Sequence, residues 1–433
     1  MAEQMKPRGI DWIGDIPINW KCSKAKFCFS LVNGSTPDSS DYDCWDGDIR
    51  WITPADMSDT GTISQGERFI TKYGYNSCGT TLLPAGSIVV SSRAPIGKIN
   101  ITTAELCTNQ GCKSLIRTAD NRYFYYLFLA GQNELSLLGR GTTFLELSTY
   151  DLNEFGIVIP AEDEQKAIAD FLDKECAQID SIAADLEKQI TLLQQYKKSL
   201  ITETVTKGLD KSVPMKDSSI EGIGKVPSHW KVNRLKYAAA VKTGPFGTQL
   251  SASEYSDEGI PVINVKNIGY GTIIEDNLDY VPDEVCQRLA QHQLQLGDIV
   301  FGRKGAVDKH AIITESQIGW VQGSDCIRVR IDGDIDSRYL NYLFDTVYFA
   351  EYVLLYAVGT TMASINSDIL TNSRILVPPI TEQRCIADFL DSNCKTLFEI
   401  IENKQSQLAT LQQHKKSLIY EYVTGKKRVK EVL

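Results

Sequence analysis

Long apolar runs are missing from this chain of 433 residues. No uninterrupted apolar stretch reaches the ~18 residues that a transmembrane helix needs. The first eleven residues are polar and lack the apolar core of a signal peptide. The hydrophobic content of 42% and the charged content of 23% are typical of a soluble globular protein. We therefore expect a cytoplasmic protein that has no membrane partner.

Paired cysteine motifs are also missing, although the chain contains 11 cysteines. No Cys-x-x-Cys pair occurs, and the closest spacings are Cys22 to Cys28 and Cys107 to Cys112. Zinc sites and disulfide frameworks usually show closer or more regular spacings. The cysteines are therefore expected to pack as small apolar side chains, and no metal ligand is predicted.

Motifs that carry catalysis are absent as well. The chain has no Gly-x-x-x-x-Gly-Lys-Ser/Thr nucleotide loop, no His-Glu-x-x-His zinc helix and no Asn/Asp-Pro-Pro-aromatic tetrapeptide of the amino-methyltransferase type. Only four histidines are present, and none lies in an obvious motif. We therefore predict no catalytic residue and no cofactor bound by this chain.

A basic excess, which DNA-binding proteins usually carry to neutralise phosphates, is also missing. The formal net charge is −10. Local basic patches can still coexist with an acidic remainder, and a partner subunit can supply phosphate contacts. If the chain binds DNA, we expect it to bind weakly alone.

The chain does contain a long internal repeat. Residues 164–172 and 382–390 share the pattern Glu-Gln-x-x-Ile-Ala-Asp-Phe-Leu, and Lys-Lys-Ser-Leu-Ile occurs at 197–201 and again at 415–419. Both pairs lie 218 residues apart. A period of this length corresponds to a whole domain plus a helix. The repeat predicts a duplicated protein with pseudo-two-fold symmetry, which suits a bipartite ligand such as duplex DNA.

The middle of each half alternates short β-branched runs with turn residues, a pattern typical of strands. The runs at 86–90 and 297–301 lead into polar, basic turns at 91–98 and 302–309. A short aromatic helix follows in each half and is expected to pack in a core. Each half therefore predicts an α+β globular domain.

After Pro160 and Pro378 the apolar residues follow spacings of three, four and seven, the pattern of a coiled coil. Helices this long cannot bury their apolar seam against one small domain, so we expect them to pair with each other. About 40 residues at 1.5 Å each would give a rod of roughly 60 Å. The second helix departs once, with Lys404 where the first has Leu186. The predicted seam and partner-docking residues are Ile168, Leu172, Ile179, Ile182, Leu186, Leu193 and Leu200 in the first helix, and Ile386, Leu390, Leu397, Ile400, Leu411 and Leu418 in the second.

With these elements in this order, the chain resembles the specificity subunit of type I restriction-modification systems over essentially its whole length. The markers are Pro-Pro-x-x-Glu-Gln-x-x-Ile-Ala-x-Phe-Leu at 378–390, the degenerate first copy from Pro160, and the two Lys-Lys-Ser-Leu-Ile segments. The first copy has Ala161 where the second has Pro379. The resemblance implies two α+β target-recognition domains separated by an antiparallel coiled coil. The expected domains are target-recognition domain 1 at 1–160, a helix at 161–208, target-recognition domain 2 at 209–378 and a helix at 379–433.

The resemblance also implies a function without chemistry in this chain. Each domain would read one half of a split double-stranded DNA target, while the helices set the spacing and dock two modification subunits. Those partners would carry S-adenosylmethionine and methylate adenine N6, and restriction subunits would use ATP and Mg²⁺ to translocate and cut DNA. Two alternatives are a scaffold or inactive paralogue that no longer reads DNA, and a nuclease with an unrecognised centre.

Recognition loops should carry donors that reach bases or phosphates, with Arg suited to guanine and Asn or Gln to adenine. The small hydroxyl loops Gly-Thr-Thr at 141–143 and 359–361 can approach phosphates closely. Because the two halves differ in these loops, the two half-sites are expected to differ. The candidate DNA-binding residues are Arg93, Lys98, Asn109, Gln110, Arg140, Thr142 and Thr143 in the first half, and Arg303, Lys304, Lys309, Gln322, Thr360 and Thr361 in the second.

Overall fold

Two compact units divide the chain in the computed structural model. The first unit combines residues 1–187 with 406–433, and the second is residues 188–405. Each unit therefore holds one globular part and portions of both long helices. The residues that the structure describes are 5–6, 10–93, 95–140, 145–359 and 363–429.

The globular part of the first unit is built from short strands and short helices. Its strands are β1 (Met5–Lys6), β2 (Ile16–Pro17), β3 (Lys21–Lys24), β4 (Ser30–Asn33), β5 (Trp45–Ile52), β6 (Thr60–Ile63), β7 (Arg68–Ile70), β8 (Ile88–Ser91), β9 (Ile99–Thr102), β10 (Cys107–Thr108), β11 (Cys112–Ile116) and β12 (Gly156–Ile159). Its helices are α1 (Lys72–Ser77), α2 (Arg122–Ala130), α3 (Gln132–Leu137) and α4 (Thr149–Glu154), and the long helix α5 (Glu162–Lys207) begins in it.

A five-stranded sheet in the order β4-β11-β8-β9-β6 forms the centre of this unit. Its central strand β8 pairs antiparallel with β11 and β9, while the edge strand β6 is parallel to β9. Smaller sheets, β10-β5-β7, β12-β3 and β1-β2, complete the domain. The aromatic residues of α2 are buried and pack against the sheet, together with Trp20 and Phe29. The sequence prediction of core aromatics is confirmed.

The second unit repeats the same order of elements. Its strands are β13 (Met215–Asp217), β14 (Lys225–Pro227), β15 (Lys231–Arg234), β16 (Ala239–Thr243), β17 (Ile260–Ile263), β18 (Tyr270–Gly271), β19 (Asp279–Val281), β20 (Ile299–Gly302), β21 (His310–Ile312), β22 (Val321–Gln322), β23 (Cys326–Ile331) and β24 (Arg374–Val377). Its helices are α6 (Asp283–Arg288), α7 (Ser337–Phe344), α8 (Val347–Tyr356), α9 (Ser367–Asn372) and α10 (Ile380–Val423), which ends in the first unit.

Its sheets repeat those of the first unit strand for strand. The orders are β16-β23-β20-β21-β18, β19-β17-β22, β15-β24 and β13-β14. The duplicated α+β fold that the sequence predicts is therefore confirmed. None of the helices in the described parts of the chain is long and apolar enough to cross a membrane.

A buried tyrosine in each unit joins the globular part to the end of a long helix. The hydroxyl of Tyr123 lies 3.1 Å from the carbonyl oxygen of Val158 and 3.0 Å from that of Val423, near the end of α10. In the second unit the Tyr339 hydroxyl lies 3.2 Å from the carbonyl oxygen of Val205, near the end of α5. Each globular part therefore holds the end of the helix that follows the other copy.

An arginine in each unit ties the aromatic helix to the start of a long helix. Arg122 lies 2.6 Å from Asp173 on α5, and Arg338 lies 2.7 Å from Asp391 on α10. Each arginine contacts two further aspartates. Networks of this kind hold an orientation more firmly than an isolated surface pair.

The long helices run antiparallel within each unit. In the first unit the rings of Phe171 and Tyr422 are 4.4 Å apart, and Lys415 lies 2.6 Å from Asp180. As the residue numbers increase along α5, those of the contacting residues on α10 decrease, so the two helices run in opposite directions. In the second unit Lys404 donates to Gln189 at 2.6 Å. A lysine on the seam is thus satisfied by a polar partner from the facing helix.

Most predicted seam residues are buried or half-buried, but two are in the wrong register. Ile182 is 51% exposed and Ile400 is 39% exposed. Their neighbours Ala183 and Ile401 face inward instead. In α5 the observed seam runs from Ile179 to Ala183 to Leu186, a step of four and then of three residues. The prediction used Ile182 in place of Ala183, a step of three and then of four. The predicted helix at 379–433 is also shorter, because α10 ends at Val423.

The register can be tested with two alanine variants of α5. Leu172 is fully buried, so we predict that Leu172→Ala lowers the free energy of unfolding by ~2–5 kcal/mol. Ile182→Ala removes an exposed side chain from the same helix and should cost less than ~0.5 kcal/mol. Urea unfolding of both variants measures the difference. Equal losses would contradict the assigned seam.

Candidate nucleic-acid interface

Backbone hydrogen bonds join several loops at one end of the first five-stranded sheet. The amide of Gly34, after β4, donates to Cys112 at 3.2 Å. Ser92, after β8, donates to Gly111 at 2.8 Å, and Leu147, before α4, donates to Ser92 at 2.8 Å. We call these joined loops the first loop cluster, which comprises residues 34–37, 92–93, 95–98, 109–111 and 145–148.

The second unit contains an equivalent loop cluster. The amide of Gly244 donates to Cys326 at 2.9 Å, Arg303 donates to Asp325 at 2.8 Å, and Ile365 donates to Arg303 at 2.9 Å. We call this set the second loop cluster, which comprises residues 244–247, 302–309, 323–325 and 363–366.

Glycine is required where the first loop of each cluster approaches its neighbour. A Cβ atom on Gly34 would lie 2.0 Å from the carbonyl oxygen of Asn109. A Cβ atom on Gly244 would lie 1.9 Å from the carbonyl oxygen of Gly323. No other residue could bring these backbones so close without moving them. The turn glycines of the sequence therefore set the spacing of the loops.

The predicted arginines of the first unit lie at this surface and pair with carboxylates. Arg93 is exposed, and its Nε lies 3.4 Å from Glu146. The side chain of Arg140 is 76% exposed and lies 3.0 Å from Asp151. Backbone bridges join Glu146 to both arginines. The Arg93–Glu146 pair is exposed on both sides, and exposed ion pairs contribute at most ~1 kcal/mol, so a phosphate could replace Glu146 at small cost. Asp151 is 8% exposed, so Arg140 compensates a buried charge.

The other predicted residues of the first unit also make contacts within the protein. Lys98 is half-buried, and its ammonium donates to the carbonyl oxygens of Pro54 and Met57 at 3.1 and 2.7 Å. The Asn109 side chain accepts a hydrogen bond from the backbone amide of Gly111. Gln110 is exposed, and its side chain forms a hydrogen bond with the Thr36 hydroxyl. Lys98 and Asn109 therefore shape the loops, whereas Gln110 is open to a ligand.

Three predicted residues of the second unit lie on its loop cluster. The guanidinium of Arg303 lies 4.4 Å from the ring centre of Phe246, and Lys304 lies 2.9 Å from Asp325. Lys309 is half-buried, with its ammonium 5.6 Å from the ring of Tyr270. Aromatic contacts of this kind hold a cation in place while leaving its charge available.

Gln322 is not in a loop, and this part of the prediction is wrong. It lies on strand β22, is fully buried, and donates to the carbonyl oxygens of Lys242 and Cys326, both at 3.0 Å. The matched strand of the first unit is β10, so the residue equivalent to Gln322 is the buried Thr108 rather than Gln110. Its position offers no surface to DNA.

Four predicted residues lie outside the described part of the chain, namely Thr142, Thr143, Thr360 and Thr361. Within the described ranges, no group of three or more His, Cys, Asp or Glu side chains is arranged to hold a metal ion.

Two residues on the strands next to the first loop cluster, Lys113 and Asn33, were not identified from the sequence. Lys113 on β11 is 6% exposed and lies directly opposite Asn33 on β4. The available signal was a single charged residue, Lys113, within the short segment of β11. Its partner, 80 positions earlier in the chain, could not be identified without the strand pairing.

Comparisons with known proteins match this duplicated architecture. A family model described as the type I restriction modification DNA specificity domain matches residues 17–192 and 227–410. That match covers most of both units. The chain belongs to the type I restriction-modification specificity family.

Full-length specificity subunits are among its relatives. The chain is 29% identical to the specificity subunit of the type I restriction enzyme MjaIX from Methanocaldococcus jannaschii, over 97% of this chain and 96% of that protein. It is 22% identical to the EcoDI specificity subunit of Escherichia coli, over 86% and 80% of the two chains. Membership indicates that the chain supplies DNA-target specificity in a type I restriction-modification system.

Solved structures confirm the fold of this specificity subunit. One chain from a structure concerned with complex assembly and conformational transition of the type I R-M system aligns with a TM-score of 0.71. It is 14% identical, with 95% of this chain and 99% of that chain covered. The HsdS subunit from Thermoanaerobacter tengcongensis aligns with a TM-score of 0.50 at 14% identity, over 95% and 98% of the two chains.

A buried histidine of the second unit has a lowered pKa, from which a dependence of stability on pH is predicted. Burial lowers the pKa of His292 to about 4, and the nearby cations Lys242 and Arg328 act in the same direction. The pKa of a histidine in the unfolded chain is about 6.5. Between pH 6.5 and 4 the unfolded chain therefore binds a proton at this residue that the folded chain does not bind. The contribution of His292 to the pH dependence is therefore a free energy of unfolding that is highest above pH ~6.5 and falls by up to ~3 kcal/mol as the pH drops towards 4.

We predict that His292→Gln reduces this loss of stability between pH 6.5 and 4. Urea midpoints measured across that range report the change. His414→Gln, at an exposed position of α10, is the matched control for removing a histidine. An unaltered acid limb in His292→Gln would contradict the assignment.

Proposed function

We propose that each unit of this specificity subunit reads one half of a bipartite DNA target through its loop cluster. The observation that carries the proposal is the duplicated set of joined loops, placed at the same end of the same sheet in each unit. Loops on a rigid scaffold are the usual location of recognition residues. The two domains of the proposal correspond to residues 1–160 and 209–378.

The side chains of the two clusters support two different half-sites. Arg93 occupies the position that Lys304 has in the second unit, because Arg93 forms a backbone bridge with Glu146 as Lys304 does with Ser364. Arg140 corresponds in the same way to Val358. A guanidinium can bind a guanine edge in a bidentate manner, an ammonium binds as a point charge, and valine cannot donate at all. The target is therefore proposed to be asymmetric.

The charges of the clusters support dependence on partners. Arg93 and Lys304 already face carboxylates, and the whole chain carries a net charge of −10. Nonspecific attraction to phosphates should therefore be small. We propose that two modification subunits supply the missing phosphate contacts and the methylation of adenine N6 with S-adenosylmethionine. Restriction subunits that use ATP and Mg²⁺ would associate through them, and the chain itself would catalyse neither step.

The antiparallel helices α5 and α10 are proposed to set the gap between the half-sites and to dock the modification subunits. The repeated segments 164–172 and 382–390 give the two helices equivalent surfaces. Two equivalent surfaces suit two copies of one partner.

Single substitutions in the loop clusters test the reading function. With the modification subunits present, Arg93→Gln should weaken binding by ~1–3 kcal/mol and change only one half of the methylated target. Lys304→Gln should weaken binding with any change confined to the other half. Gel shifts and mapping of methylated adenines measure the two effects.

The exposed Lys72→Gln, on α1, controls for the loss of one positive charge. A change in both halves from either loop variant would contradict the division between units. A chain that assembles with its partners but confers no target sequence would be an interaction scaffold instead.

A heptad insertion tests the spacing function. Seven residues inserted into α5, matched by seven at the facing level of α10, preserve the seam and lengthen the pair by ~10 Å. We predict that the gap in the methylated target widens by about three base pairs, at ~3.4 Å each. An unchanged gap would exclude the helices as the ruler.

A further inference from the structure

A buried ammonium lies beneath the first loop cluster. Lys113 on β11 is 6% exposed and faces Asn33 across the strand pair β11-β4. Its Nζ donates to the side-chain oxygen of Asn33 at 3.1 Å and to the hydroxyl of Thr149, at the start of α4, at 3.3 Å. Both of these acceptors are uncharged.

The cost of this arrangement argues against a packing role. Burial lowers the pKa of Lys113, as does the nearby Arg93, while Glu146 opposes the shift. Within the described ranges no carboxylate lies within ion-pair distance of its Nζ. Buried charges without a paired opposite charge destabilise a fold, and an apolar residue would serve packing better.

The second unit shows that the fold does not need this lysine. Its strand β23 carries Ile327 where β11 carries Lys113, and Ile327 faces Thr243 on β16. Isoleucine fills the same position without any cation. The lysine is therefore a feature of the first unit alone.

Lys113 fixes the orientation of the Asn33 side chain. An ammonium can only donate hydrogen bonds, so the amide oxygen of Asn33 must face it. The Thr149 hydroxyl donates to the same oxygen at 3.0 Å. With the oxygen engaged twice, the amide nitrogen Nδ2 turns away from the lysine. Asn33 is exposed, and no partner for Nδ2 is recorded among the residues that the structure describes.

An oriented amide differs from a free one in what it can recognise. A free asparagine can bind donors or acceptors by rotating its amide, and it often binds adenine through both groups. Asn33 presents only N–H donors, because its acceptor is occupied. Donors select the acceptors of DNA, which are purine N7, guanine O6 and thymine O4 in the major groove, or a phosphate oxygen.

We propose that Lys113 positions Asn33 so that its Nδ2 donates to a hydrogen-bond acceptor of DNA within the half-site that the first unit reads. The inference rests on the proposed function and names a specificity-determining residue with its positioning residue. Asn33 adjoins Gly34 of the first loop cluster in the chain, so the donor lies at the edge of that cluster. The second unit, with threonine and isoleucine, has no equivalent donor of fixed orientation.

Asn33→Asp is the decisive variant, because it keeps the shape and reverses the outward group. One carboxylate oxygen can still accept from Lys113, while the other replaces the outward donor with an acceptor. If the contact is to a base, methylated-adenine mapping of the full complex should show one position of one half-site changing. The preference should move to a base with an exposed amino group, adenine or cytosine.

If the contact is instead to a phosphate, the affinity of the Asn33→Asp complex for DNA should fall about tenfold on every target, with the methylated sequence unchanged.

Lys113→Met tests the positioning role separately. With the lysine removed, the Asn33 amide can rotate, so discrimination at the same single position should relax while the other half-site stays intact. Lys113→Arg, which keeps a donor facing the amide oxygen, should retain more of the discrimination. Lys72→Met, at an exposed position of the same unit, is the matched control and should leave the target unchanged.

The outcomes separate this inference from the proposed function. Unchanged affinity and an unchanged target in both Asn33→Asp and Lys113→Met would overturn the inference while the proposed function stands. Loss of both half-sites in Lys113→Met, combined with a neutral Asn33→Asp, would show a merely structural lysine and would also overturn it. If the unaltered complex methylated no bipartite target, the proposed function would fail and the inference with it.

Discussion

The antiparallel pairing of α5 and α10 is the contact on which the rest of the structure depends. Neither helix could bury its whole seam on one small domain. In the first unit Ile168 lies in the same core as Val423 of α10, and in the second unit Leu390 lies in the same core as Val205 of α5. The tyrosines Tyr123 and Tyr339 then fasten each globular part to the end of the opposite helix. Within each unit, the globular part is therefore held against both long helices.

The sequence allowed the helices, the repeat and the aromatic cores to be predicted because each depends on a local period or composition. The seam was misassigned at Ile182 and Ile400 because two adjacent residues fit a three-or-four spacing equally well, and only the facing helix decides between them. Gln322 was misplaced because the offset between the copies changes. Ile99 corresponds to His310, but Cys112 corresponds to Cys326, so three residues are inserted between these strands. Lys113 and Asn33 were missed because their contact depends on strand pairing.

The two units differ more in the charges of their equivalent residues than in their fold. Their sheets match strand for strand, yet the first unit places Arg93, Arg140 and a buried lysine where the second has Lys304, Val358 and Ile327. A common scaffold with different donors is what two different half-sites require. The carboxylates beside these cations weaken attraction to phosphates in general, which favours recognition that depends on partner subunits.

The central claim is that the two units are equivalent readers, which share one scaffold and differ in the side chains that they present in and beside the loop clusters. It is tested most directly by a chain in which residues 17–160 replace residues 227–378, so that the first reader occurs twice. Single-molecule mapping of methylated adenines, with the modification subunits present, gives the target. The account predicts a palindromic sequence in which both halves match the half-site of the first unit. An asymmetric target that retains the original second half would contradict it.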